Sequence, residues 1–142
     1  MERKTIFITF IFFLFLISSA FSQEQVEVVT PGNVEVKEDI TYPVPYIPVL
    51  KGLSYQASES AILKTAGNVT GMLVLTGNYK TASLVEFYRV QMKAKGWVEM
   101  GSFTSKTTFL AFKRPEGHAF ISISEGFVQT TVRIIFFLSG VN

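Results

Sequence analysis

The sequence predicts an α+β domain, an antiparallel meander sheet with one helix packed on one face, in the order β-β-α-β-β-β-β. Three observations point to it. One segment, residues 83–97, carries apolar residues at helical spacing and ends in a strong stop signal. The residues after it, up to about Leu138, alternate apolar and polar side chains with a period of two. Turn signals at Gly67-Asn68, Thr104-Ser105-Lys106, Pro115–His118 and Gly126-Phe127 divide the strand-like stretches.

The chain of 142 residues has room for one domain, and its 48% hydrophobic content is inflated by the first 22 residues. Arg3 and Lys4 give a basic start, residues 5–17 are a nearly unbroken apolar run, and Ala20 and Ser22 are small residues at the spacing of a signal-peptidase site. Residues 1–22 therefore read as a signal peptide cleaved before Gln23, in a periplasmic or extracellular protein. The alternative is a retained N-terminal anchor in the inner membrane, although the run is short of the ~20 residues a spanning helix needs.

Residues 23–42 alternate Val with Glu, Gln and Lys around Pro31-Gly32-Asn33 and read as a tether, or else as two short strands about a turn. The domain is expected to occupy residues 43–142. It opens with Pro43, Pro45 and Pro48, which favour extended backbone and exclude a central strand. That lead-in is a ligand for a proline-recognising groove on one reading. On the other it is a stiff entry whose Tyr42, Tyr46 and Ile47 pack on the domain edge.

A first strand is expected at residues 60–64, a hairpin turn at Gly67-Asn68, and a returning strand at 69–76 with Gly71 as a bulge. In the helix, Ser83 and Glu86 have capping-box spacing, with Thr81 as the rival cap. Leu84, Phe87, Tyr88, Met92 and Ala94 form the apolar stripe, while Glu86, Arg89 and Lys93 face away. Gly96 supplies a left-handed stop that folds Trp97 back on Met92. In the strands that follow, Leu110 and Phe112 oppose Phe109 and Ala111. Ala119, Ile121 and Ile123 oppose Phe120, Ser122 and Ser124, and Val132, Ile134 and Phe136 oppose Thr131, Arg133, Ile135 and Phe137.

The chemistry-bearing residues form no recognisable set. Cysteine is absent, which excludes disulfides (and so a disulfide-linked partner), thiolate metal sites and thiol catalysis. No phosphate-binding glycine loop, nucleophile elbow or metal-ligand cluster is present, so no cofactor is expected. The lone histidine, His118, falls in a turn with no orienting partner nearby in sequence. Glu59, Glu86, Glu99, Glu116 and Glu125 are dispersed, although residues distant in sequence can still meet in a composite site. After removal of residues 1–22 the balance is 11 Lys and Arg against 10 Asp and Glu, which argues against a nucleic-acid partner.

What stands out is an aromatic surplus. One helix covers one face of a sheet, and the apolar residues left over are candidates for the uncovered face. The set Phe109, Ile121, Ile123, Ile135 and Phe137 is the candidate interaction face, where a contiguous patch would meet a partner protein, a lipid or a second copy. Strand addition at residues 129–138 is a further mode if that strand lies at an edge.

The residues Gly71, Leu73-Val74, Gly77, Phe87-Tyr88, Met92 and Gly96-Trp97 form a pattern that resembles a group of small exported bacterial proteins, many of them lipoproteins, built on a domain of unknown function. The resemblance spans about residues 44–136. It implies the fold and export but no mechanism, since every matched residue has a packing or turn role. This chain lacks the acylated cysteine of the lipoprotein members. The expectation is a non-enzymatic exported module that binds a protein or envelope component. The alternatives are a carrier for an apolar ligand held between the sheet and residues 43–48, and an enzyme with a composite site.

Overall fold

The computed structural model describes residues 40–141, so the expected signal peptide and residues 23–39 of the expected tether lie outside it. Within those residues the fold is an antiparallel sheet with a single helix packed on it. The strands are β1 (Ile40–Val44), β2 (Ile47–Leu50), β3 (Ser54–Tyr55), β4 (Ala61–Thr65) and β5 (Asn68–Gly77). After the helix come β6 (Val98–Thr104), β7 (Thr107–Arg114), β8 (Gly117–Glu125) and β9 (Thr130–Ser139).

Helix α1 (Thr81–Ala94) starts two residues before the expected capping serine. Neither Ser83 nor Thr81 caps it. Lys80 is the N-cap, without a side-chain hydrogen bond, and its carbonyl accepts from the amides of Ser83 (3.1 Å) and Leu84 (3.2 Å). The stop follows the sequence closely. Gly96 takes φ +82°, its amide donates to Lys93 O (3.0 Å), and Trp97 N–H donates to Met92 O (3.1 Å). This is the paired arrangement that satisfies the last helical carbonyls. Leu84, Phe87, Tyr88 and Met92 are the buried face of the helix.

Strands β6 to β9 form a meander, and β5 pairs with β9 on the far side, giving the order β3-β5-β9-β8-β7-β6. The expected edge strand is therefore central. β9 lies between β5 and β8, with pairing along its whole length from Asn68↔Ser139 to Gly77↔Thr130. Its backbone is consumed on both sides, which removes strand addition there. Among the described residues the edges of the sheet are β6 on one side and β3 and β4 on the other.

β3 and β4 share one flank of β5. The residues between them bow outward but keep the ladder satisfied, because Gln56 N–H donates to Val74 O (2.9 Å) and Val74 N–H to Ser60 Oγ (2.9 Å). The β4–β5 turn is Ala66-Gly67, one residue earlier than expected, with Gly67 at φ +77°. Gly71 is no bulge, since the β5–β9 register is regular through it. The close approach of β4 explains the glycine: a Cβ there would sit 2.1 Å from the Ala61 carbonyl oxygen.

The proline lead-in is not a polyproline segment. β1 and β2 pair as a separate two-stranded hairpin, Ile40↔Leu50 to Val44↔Ile47, with a register shift between Thr41 and Val44. That irregularity accommodates residues that cannot donate to a ladder. Ile40, Thr41 and Tyr42, expected in the tether, belong to this hairpin. Val44, Ile47 and Val49 join Leu53, the helix stripe and one face of the sheet in a single hydrophobic core. The covering layer is thus the helix and the hairpin side by side, and α1 contacts β2 as well as β6, β7 and β8.

Candidate binding face

Residues directly opposite each other in a sheet share a face. The core side contains Leu110, Phe112, Ala119, Ile121, Ile123, Val132, Ile134 and Phe136, all at 1% exposure or less. Among the described residues, no helix lies on the other side.

Three members of the expected face, Phe109, Ile135 and Phe137, lie on that open side at 40%, 41% and 55% exposure. Ile121 and Ile123 do not. Ile121 pairs with Leu110 and Ile134, and Ile123 with Thr108 and Val132, all of them buried. The register sets this: the two-residue turn Pro115-Glu116 places Arg114 opposite Gly117, so odd-numbered residues of β7 share a face with even-numbered residues of β8. The open-face residues of β8 are therefore His118, Phe120, Ser122 and Ser124.

Two aromatic residues that the expected set omitted belong to the face, and Leu63, 61% exposed and opposite Thr70, extends it beyond Phe137. Phe120 is 44% exposed and pairs with Ala111 and Ile135. Phe103 is 63% exposed and pairs with Phe109, with ring centroids 4.6 Å apart and planes 22° from parallel. The stripe runs from Phe103 and Phe109 diagonally through Phe120 and Ile135 to Phe137. At roughly 200 Å² per side chain these exposures amount to about 500 Å², the upper end of what a monomer usually carries as one patch.

Lys113 and Arg133 are the basic residues beside the stripe. Lys113 opposes His118, which opposes Phe137, and Arg133 opposes Ser122. Glu59, on the bowed segment, reaches Arg133 at 3.9 Å. The whole-chain balance had concealed this. Residues 40–141 contain ten Lys and Arg against five Glu and no Asp, a formal +5, because Glu24, Glu27, Glu35, Glu38 and Asp39 all precede them.

Other clusters have structural explanations. Arg114 stacks its guanidinium 3.6 Å from the Tyr46 ring centroid and donates to Lys95 O at the helix end and to the Glu116 carboxylate. That hydrogen bond holds the Glu116 carboxyl below the usual carboxylate range. Burial pushes the Tyr88 phenol above its ordinary range, and its hydroxyl has no hydrogen-bond partner among the described residues. His118, expected in a turn, is an exposed residue of β8 instead. Among the described residues no group of three His, Cys, Asp or Glu side chains could hold a metal ion, and no helix is long and apolar enough to cross a membrane.

Two concavities are formed by the described residues. One, of about 460 Å³, lies between the hairpin and the sheet and is lined by Pro43, Val49, Leu50, Leu53, Tyr55 and Ile62, among others. The other, of about 520 Å³, lies beside the β7–β8 turn, where Arg114 and Glu116 are already paired. Comparison with protein-family models, with curated proteins and with solved structures finds no significant match to this chain.

Proposed function

We propose that this protein is an exported, non-enzymatic module that binds an envelope component through the open face of its sheet. The observation that carries the reading is the exposed stripe Phe103, Phe109, Phe120, Ile135 and Phe137, on a face that no helix among the described residues covers. Leaving that much apolar surface in water is unfavourable by roughly 25 cal/mol per Å², which a partner would recover. Export rests on the N-terminal sequence pattern, in a periplasmic or extracellular setting. The test is crosslinking of the tagged protein in its native envelope. A partner captured by the wild type and lost with Phe120→Asp and Phe137→Asp, both folded, supports the reading. Equal capture by wild type and variants removes it.

A second reading, a carrier for a small apolar ligand, is favoured by the groove between hairpin and sheet. Its volume of about 460 Å³ is in the range of small-molecule sites, and Pro43, Val49, Leu50 and Leu53 give it an apolar lining. Native mass spectrometry of freshly purified protein distinguishes the two. A co-purifying lipid-like mass lost with Leu50→Arg favours the carrier.

A further inference from the structure

We infer that β6 is a pairing edge for a second copy of this chain, joining two sheets antiparallel into one. The inference goes beyond the reading of the open face, which it enlarges and does not require. Among the described residues β6 is the outermost strand on its side, and all seven of its residues are exposed. The opposite edge is blunted, since β3 is two residues long and β4 carries Lys64. From Val98 to Thr104 there is no Lys, Arg or Pro, and Val98, Met100 and Phe103 are 56%, 53% and 63% exposed. Glu99 is the strand's one charged residue, and Arg89 holds it at 3.2 Å.

The strand is complementary to itself. Gly101 and Phe103 both lie on the open face, opposite Ala111 and Phe109. A Cβ on Gly101 would meet nothing within 4 Å, so the backbone presents an empty slot two residues from an exposed phenyl ring. Antiparallel pairing about a two-fold axis at Ser102 sets Phe103 of each copy opposite Gly101 of the other. A ring laid over a bare strand glycine shields its backbone from water, the means by which edge glycines are rescued. Symmetry makes the contact twice. Met100, the extra residue of β6, precedes this segment, and Gly101–Thr104 keep a regular register with β7.

This arrangement selects a second copy over an unrelated strand, because one sequence supplies both the slot and the ring that fills it. Net charge does not oppose the pairing, since residues 23–142 carry 11 Lys and Arg against 10 Asp and Glu. The axis is perpendicular to the sheet, so both helices fall on one side and both aromatic stripes on the other. The two Phe103–Phe109 stacks then meet at the axis and join the stripes into one surface. So short a ladder makes a weak, reversible dimer.

The test is sedimentation velocity of the full chain in its exported form over a range of concentrations, with wild type compared to Gly101→Val and Phe103→Ala. The expected result is a reversible monomer–dimer equilibrium whose dissociation constant rises at least tenfold with either substitution, circular dichroism being unchanged. Gly101→Val is diagnostic, because its side chain has open space in the monomer and collides only with the second copy's ring. Cysteine substitutions in this cysteine-free chain read the register. Ser102→Cys, on the axis, should give a disulfide-linked dimer under mild oxidation, and Lys106→Cys should not. A chain monomeric at every concentration, a dimer indifferent to Gly101→Val, or equal crosslinking by both cysteine variants overturns the inference. A monomeric chain that still captures an envelope partner, lost with Phe120→Asp, overturns the dimer and leaves the open-face reading standing. A dimer of the expected register that captures no such partner supports the inference and removes that reading.

Discussion

The indole N–H of Trp97 donates a 2.8 Å hydrogen bond to the carbonyl oxygen of Tyr46, 51 residues earlier in the chain. The bond ties the turn of the N-terminal hairpin to the residue that ends the helix stop. Tyr46 has φ +65°, an uncommon conformation for a residue with a Cβ, and it is held there from two sides. Trp97 fixes its carbonyl, and Arg114 lies over its ring.

Trp97→Phe should therefore cost about 1–3 kcal/mol, because the Tyr46 carbonyl loses its donor while the apolar contact is largely kept. Urea unfolding checks this. The midpoint should fall with the slope unchanged, as expected when the folded and unfolded states keep their compactness.

Gly71→Ala tests the close approach of β4. A Cβ 2.1 Å from the Ala61 carbonyl oxygen must push that strand away, at a cost of about 1–3 kcal/mol. Hydrogen exchange should accelerate in β4 while the β5–β9 pairing stays protected.

Tyr88→Phe should raise stability by about 1 kcal/mol at neutral pH, since it removes a buried hydroxyl that has no partner. Burial raises the phenol's pKa in the folded state above its unfolded value of about 10. Stability from this group is therefore fully present below about pH 10 and declines as pH rises through the alkaline range, where the unfolded chain ionises first. The gap between variant and wild type should widen at about pH 10.5, measured by urea unfolding at both pH values.

Neighbouring residues of β8 should behave oppositely. Ile121→Ala empties a core position and should cost about 2–5 kcal/mol. Phe120→Ala, on the open side, should change stability by less than about 1 kcal/mol. Thermal unfolding of the two variants distinguishes this register from any that shifts β8 by one residue.

The fold was legible in the sequence where one local signal decided the outcome. The helix stop is an example: Gly96 and Trp97 specify a left-handed residue and a returning amide with no help from the rest of the chain. The hairpin at residues 40–50 was not legible, because its prolines argue against pairing and only a register irregularity makes pairing possible. The candidate face was half legible. Alternation within each strand sorts residues into two sets, but pairing across the turn decides which sets meet. Counting through Pro115-Glu116 aligns Phe109 with Ser122 and excludes Ile121 and Ile123. The tip at Phe127-Val128 left no periodic signal, and its exposure appears only once the strands on both sides are placed.

The central position of β9 bears on when this chain can fold. β5 finds its main partner only in β9, Thr130–Ser139, and before that strand exists β5 with its β3 and β4 neighbours shares no ladder with the β6–β7–β8 meander. Pairing across so long a separation is slow compared with local closure. Native pairing of β5 along its whole length thus waits until Thr130–Ser139 has been synthesised.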